Sequence, residues 1–233
     1  MKGMILAAGL GSRLKPFTLS HPKALYPYEG KPLIWHAIQH LHSAGISEIV
    51  VNVHHFSDQI ITYLKQDEFM DCQITISDER DSLLETGGGV RKAEWFFRNA
   101  GDFVVRNVDI ISDIDLNDMI RYHQTGGHLA TLAVRRRTSG RYLLFDSNMT
   151  LSGWENRKTG EQLLVWDKTI TLQPFAFSGI QCLNSRIFPL ITEEGSFSLI
   201  TLYLRLAKTG GIKGYPETGS LWFDAGSGLT GGT

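Results

Sequence analysis

The segment Leu6-Ala7-Ala8-Gly9-Leu10-Gly11-Ser12-Arg13-Leu14 follows an apolar run and combines small residues, two glycines and a cation. Small residues let the backbone come close to a ligand, and successive N–H groups in a tight turn form a nest for an anion. The chemistry on offer is the holding of a phosphate chain or a base, although the same residues would also serve an ordinary strand-to-helix turn. No Gly-Lys-Ser/Thr follows, so this is not a Walker A loop. Lys23, in His21-Pro22-Lys23-Ala24-Leu25, adds a cation on a proline-stiffened loop, where Arg13 and Lys23 could meet phosphates from opposite sides. Farther on, Glu85-Thr86-Gly87-Gly88-Gly89-Val90 precedes a helical run expected from Arg91, and its glycines would permit close approach to a flat ligand. Asp109 closes the apolar run 103–108, at the carboxyl edge where open α/β sheets bind ligands; its hard oxygens suit Mg²⁺.

The pattern continues through Pro16-Phe17-Thr18, Pro22-Lys23-Ala24-Leu25 and Gly30-Lys31-Pro32-Leu33-Ile34. It resembles, without a gap, the opening signature of the sugar nucleotidyltransferase family: L-A-A-G-x-G-x-R-L-x-P-x-T, then P-K-x-L, then G-K-P-L-I. The resemblance implies an α/β fold of Rossmann-like nucleotidyltransferase type, a mixed, mostly parallel sheet with helices on both faces and a β-rich sugar-binding portion. It implies transfer of a nucleotidyl group from a nucleoside triphosphate to a sugar-1-phosphate with release of pyrophosphate, those two substrates being the partners. Leu6, Ala7, Ala8, Gly9, Gly11 and Ser12 would then line the nucleotide site, Arg13 would grip the triphosphate, and Lys23 would bridge toward the α-phosphate and the sugar phosphate. Gly87 and Gly88 would read the base through the main chain.

The same resemblance assigns Mg²⁺ to Asp109, as the aspartate of a G-D pattern, and to Asp224, in Trp222-Phe223-Asp224-Ala225-Gly226 against the family's W-x-D-V-G-T. Val108 stands where that family has glycine, which would add a side chain beside the metal. Gly140, Glu155, Asn156 and Ser178 fall where the family places its sugar pocket. Trp154-Glu155-Asn156, replacing a common Glu-Lys-Pro, and Leu84 to Gly89 look most like the branch that joins UTP to N-acetylmuramate 1-phosphate. Mannose-1-phosphate guanylyltransferases are similar, a phosphocholine-type cytidylyltransferase shares the opening signature, and Val108 leaves room for a nucleotide-sugar sensor without turnover.

The elements that must position these residues follow from periodicity. Apolar strand-like runs at 4–8, Glu48–Val53, 73–76 and 103–106 alternate with helical spacing after Pro32, ended by Gly45, and at 60–64. Beyond about residue 127 the texture becomes β-rich, with strands expected at 129–134, 142–145 and 171–183 and a helix over Leu199–Leu206. The expectation is one nucleotidyltransferase domain, a nucleotide-binding half at 1–126 and a sugar-phosphate half at 127–225, with a flexible tail at 226–233. Asp113 and Asp115 read as caps for a helix at 116–123, and Arg135-Arg136-Arg137 as a solvated strand end. The adjacent His54 and His55 would point opposite ways, which suits loop residues better than a metal pair.

Composition narrows the partners. A formal net charge of −1 leaves no overall basic field for nucleic acid or an anionic membrane. Cys72 and Cys182 form no C-x-x-C pair, which fits a reducing compartment, and the cytoplasm is the expected location for a monomer or homodimer. The apolar run at 4–10 is too short for a signal peptide, and no stretch reaches the ~18 apolar residues of a membrane span.

Overall fold

The computed structural model describes residues 1–66, 69, 71–165 and 171–227. The chain enters through β1 (Lys2–Leu6), passes three single-turn 3-10 helices at Ser12–Leu14, Phe17–Leu19 and Lys23–Leu25, and forms a small ribbon of β2 (Pro27–Tyr28) and β3 (Lys31–Pro32). Pro32, with φ fixed at −66°, immediately precedes α1 (Leu33–Ser43), and Gly45 at φ 76° turns the chain out of it. Then come β4 (Glu48–Val53), α2 (Ser57–Leu64), β5 (Gln73–Asp78), α3 (Glu85–Lys92), α4 (Glu94–Phe97), β6 (Asp102–Asn107), β7 (Ile110–Ser112) and α5 (Leu116–Thr125). Asp115 caps α5 by accepting from Asp118 N at 3.0 Å, as its sequence position predicts. The remainder comprises β8 (Ala130–Arg135), β9 (Arg141–Phe145), β10 (Leu151–Asn156), β11 (Glu161–Leu164), β12 (Gln173–Asn184), α6 (Leu199–Leu206), β13 (Ile212–Pro216) and β14 (Trp222–Asp224).

The fold is the mixed α/β sheet expected. Strands β5, β4, β1 and β6 lie side by side and parallel, the α/β part of the sheet, and β12 pairs antiparallel with β6. From there the sheet is antiparallel through β12, β9, β10 and β11, with β8 and the parallel β13 branching from β12. Strand β12 serves two sets of partners: Gln173–Phe175 pair with β9, and residues 180–184 with β6, across an irregularity at 177–181 that contains Gly179 at φ 78°.

Period-two alternation sends Met4, Val50, Phe103 and Val105 into a core shared with α3, α4 and α6, and Ile5, Val51, Val104 and Val108 into one shared with α1, α2 and α5. Helices therefore cover both faces. Two expectations are corrected. The triple glycine is not a loop before a helix at Arg91, because the helix already begins at Glu85. The expected tail at 226–233 does not hold at its first two residues, since Ala225–Ser227 form a 3-10 turn with Gly226 buried; the rest of that call, 228–233, lies outside the described residues. Among the described residues no helix is long and apolar enough to cross a membrane.

Candidate active site

Asp109 follows β6 at the carboxyl end of the parallel strands, and its Oδ2 accepts from Lys23 Nζ at 2.8 Å. Both side chains are nearly buried, 9% and 14% exposed, so each depends on the other to offset the cost of leaving water. Gly11 allows this closeness: it is left-handed (φ 61°), and a methyl group there would lie 2.8 Å from Lys23 Cβ.

Asp224 reaches the same place from the other end of the chain. The three-residue strand β14 pairs antiparallel with β7, setting Asp224 opposite Ile110, and Ala225 N donates to Asp109 O at 2.9 Å. A methyl group on Gly226 would stand 2.6 Å from Asp109 Oδ2, 3.0 Å from Asp224 Oδ1 and 3.3 Å from Arg13 Nη2, so the two carboxylates and the guanidinium converge on one point. Arg13, its side chain 62% exposed, meets Asp224 at 3.5 Å on the rim. Asp113 Oδ1 accepts from Leu221 N at 2.6 Å and so fastens the entry to β14.

A cleft of about 440 Å³ opens beside this cluster, lined by Leu6, Ala8, Gly9, Lys23, Asn52, Asn107 and Asp109 on one side and Leu83, Glu85 and Thr86 on the other. Its floor rests on Asn52, which the sequence reading did not single out. Asn52 Oδ1 accepts from Ala7 N (2.7 Å) and Ala8 N (3.3 Å), while its Nδ2 donates to Glu79 Oε1 at 2.8 Å. Those two amides are therefore engaged inside the protein rather than offered to an anion. Burial raises the Glu79 pKa, and the Asn52 hydrogen bond opposes that shift. Asn52→Ala would strand two amides and a buried carboxyl at once, so we expect a loss of at least about 3 kcal/mol, at ~1–3 kcal/mol for each unsatisfied group. Urea denaturation measures it, and an unchanged midpoint would mean that other contacts hold the loop.

Gly87 and Gly88 are placed differently from expectation. Their N–H groups both donate to Phe197 O, at 2.8 and 3.3 Å, and their Cα atoms pack against Phe197 and Gly195, so Glu85 and Thr86 face the cleft instead. Val108 is fully buried among the α1-side apolar residues, with ordinary negative φ. Ser12 begins the 3-10 turn that carries Arg13.

A second cavity, about 500 Å³, adjoins the first; Arg141 and Ser198 line both. Its walls include Arg137, Ser139, Tyr142, Trp154, Glu161 and Phe177. None of the four expected sugar residues lines it. Alternation turns Glu155 to the face opposite Trp154, where it pairs with Arg157 at 2.7 Å. Asn156 is spent on the turn, accepting from Lys158 N at 3.0 Å, and Gly140 packs against the Lys158 side chain. Ser178 is buried and donates to Glu217 Oε1 at 3.1 Å.

The arginine run is not a solvated strand end. Arg135 and Arg137 lie over Trp222, at 5.6 and 4.2 Å from its ring centroid, and Trp222 Nε1 donates to Ser178 O at 2.9 Å. Arg135 also pairs with the buried Glu217 at 3.5 Å. Only Arg136 is exposed, over Phe175. Burial lowers the Arg137 pKa and the charge of Asp224 opposes that shift, while Arg137 also lines the second cavity. His54 is a loop residue, its Nδ1 bonded to Glu79 O at 2.7 Å.

A family model described as nucleotidyl transferase matches residues 2–142. The N-acetylmuramate alpha-1-phosphate uridylyltransferase of Caulobacter vibrioides is 32% identical over 234 residues, covering 96% of this chain and 90% of that protein. Mannose-1-phosphate guanyltransferase beta-B of Xenopus laevis is 34% identical over 137 residues, which are 58% of this chain and only 38% of that longer protein. Among solved structures, a UDP-glucose pyrophosphorylase from Acinetobacter baumanii superposes with a TM-score of 0.81 at 18% identity, over 98% of this chain and 89% of that one, a likeness of fold.

Proposed function

This chain belongs to the nucleotidyl transferase family and is a sugar-1-phosphate nucleotidylyltransferase; within that activity we propose that it joins UTP to N-acetylmuramate 1-phosphate. The observation that carries the mechanism is the meeting of Lys23, Asp109, Asp224 and Arg13 beside the first cavity, which Lys23 and Asp109 line. Attack of one phosphate on another brings anions together, so fixed cations must screen the approach and the charge that builds on the leaving group. In this reading the triphosphate lies along 6–13 with its base toward Leu83, Glu85 and Thr86, and the sugar occupies the second cavity. A sugar-phosphate oxygen forms a bond to the α-phosphorus in line with the α–β bridge, which breaks to release pyrophosphate, and no covalent enzyme intermediate is needed. Lys23 faces the convergence from the loop side, Arg13 from the rim, and Arg141 from the wall common to both cavities.

The residues fit a magnesium ion. Mg²⁺ takes one or two protein carboxylates and fills its octahedron with phosphate oxygens and water. Asp109 and Asp224 offer two such carboxylates at one point, and among the described residues no group of three or more His, Cys, Asp or Glu builds a closed cage. Bound there, the ion would neutralise charge on both phosphates.

The uridylyl and muramate choice is supported by the Caulobacter relative, which aligns over 96% of this chain and 90% of its own length, where guanylyltransferases align over 58% to 87% of this chain and 38% to 59% of their own length. The second cavity adds chemistry of its own: Arg137 and Arg141 suit a sugar that carries a carboxylate, as the lactyl ether of N-acetylmuramate does. Calorimetric titration in Mg²⁺ is expected to give tighter binding of UTP than of GTP, and pyrophosphate release is expected to be at least about tenfold faster, as kcat/KM, with N-acetylmuramate 1-phosphate than with N-acetylglucosamine 1-phosphate, a difference of about 1.4 kcal/mol. GTP binding more tightly, with mannose 1-phosphate as the better acceptor, would transfer the protein to the guanylyltransferase reading.

A further inference from the structure

Strand β6 holds a charge where its neighbours are apolar. The two-residue period puts Val104, Arg106 and Val108 on the face covered by α1. Arg106 is 1% exposed, and a buried ion without good partners costs several kcal/mol, so an apolar side chain of similar size would serve stability as well or better. Its hydrogen bonds show what the charge is used for. Arg106 Nη1 donates to His40 Nδ1 at 2.6 Å and Nη2 to Ile110 O, while His40 Nε2 meets Ile114 O at 2.9 Å.

The chemistry of these contacts fixes the tautomer. A carbonyl only accepts, so His40 Nε2 carries the hydrogen, and Nδ1 is left with the lone pair that Arg106 requires. Burial, reinforced by Arg106, lowers the His40 pKa to about 4, so the ring is neutral at pH 7. Burial lowers Arg106 to about 10 against the opposing pull of Asp109, which leaves it a cation at pH 7. The guanidinium thus grips both ends of the segment 110–114, Ile110 directly and Ile114 through the imidazole. That segment starts one residue after Asp109 and contains β7, the only partner of β14 among the described strands.

We propose that Arg106 and His40 are positioning residues for the two-carboxylate site: they hold the 109–114 turn where β14 can bring Asp224 beside Asp109. The inference rests on the reading that Asp109 and Asp224 hold a divalent cation. Residues that orient metal ligands from behind typically contribute about 10–100-fold to metal affinity.

The test uses the full chain with Arg106→Met, Arg106→Lys, His40→Ala and, as a blank, Asp109→Asn. Mn²⁺ affinity is read by electron paramagnetic resonance with a saturating non-hydrolysable UTP analogue, alongside the thermal midpoint and steady-state kinetics. Arg106→Met and His40→Ala are expected to bind Mn²⁺ about tenfold or more weakly and to lose kcat, with KM for UTP within about twofold and partial rescue in Arg106→Lys. A lowered midpoint with unchanged Mn²⁺ affinity in both variants would reduce the pair to scaffolding and overturn the proposal. Should Arg106→Met fail to fold, His40→Ala decides by the same reading, since it keeps the cation. If wild type and Asp109→Asn bind Mn²⁺ alike, the metal reading falls and takes this one with it; if they differ while Arg106→Met and His40→Ala match wild type, only the positioning role falls.

Discussion

Lys23→Ala is expected to lower kcat by about 10²-fold or more while changing the dissociation constant for UTP far less, the loss typical of removing one preorganised electrostatic group. The ammonium lines the first cavity beside Asp109, so on the proposed reading its charge matters most when phosphates converge there. The same substitution leaves Asp109, 9% exposed, without its partner, so the ligand-free protein should also melt earlier. The two effects separate by measuring kcat at saturating substrates and below the variant's melting range, with UTP affinity taken by calorimetry. An unchanged kcat would remove Lys23 from the chemistry and leave it a structural counter-ion.

What the sequence discloses and what it withholds divides along the range of the interactions. The nucleotide-side strands, the helix bounded by Pro32 and Gly45, the Asp115 cap and the loop bearing Arg13 and Lys23 are local, and the amino-acid order carries them. The helix through Gly87, Gly88 and Gly89 is not local: glycine disfavours helix by ~1 kcal/mol per residue, and tertiary packing against Phe197 and Gly195 overrides that preference. Glu155 misses the second cavity by one residue of parity, because Trp154 and Glu155 are neighbours in sequence and opposites in the sheet. Arg135 and Arg137 look like surface until Trp222 folds beneath them from far along the chain. Asn52, Glu79, Arg106 and His40 escape notice for the same reason, although a lone polar residue inside an apolar strand is the signal that would mark Asn52 and Arg106. The closeness of Asp109 and Asp224 depends on β7 and β14, three residues each, too short for any periodicity to announce.

Asp109→Asn and Asp224→Asn are each expected to reduce turnover by about 10²–10³-fold, with the double variant little worse than the poorer single one. Non-additivity is the informative part. Two carboxylates that serve one cation fail together once either is neutralised, whereas two independent roles would multiply. The geometry also makes the single variants differ in the ligand-free state: Asn at 109 faces the ammonium of Lys23, and Asn at 224 faces the mostly exposed Arg13, so the first should disturb stability more. Pyrophosphate release at saturating substrates, with melting curves for all three variants, decides both points. Multiplicative losses would split the carboxylates into separate functions.

Strand β12 carries a consequence for how such a protein can diversify. Its last residues are locked into β6 and β8, while its first three pair only with β9, and β8 takes over at Ala176, ahead of the irregularity that contains Gly179. Insertions, deletions or new side chains in β10 and β11 would therefore reshape the second cavity while the pairing of β12 with β6, the strand that leads to Asp109, stays in place. On the proposed reading, selection could trade one sugar for another through that layer while the edge that carries Lys23 and Asp109 is inherited.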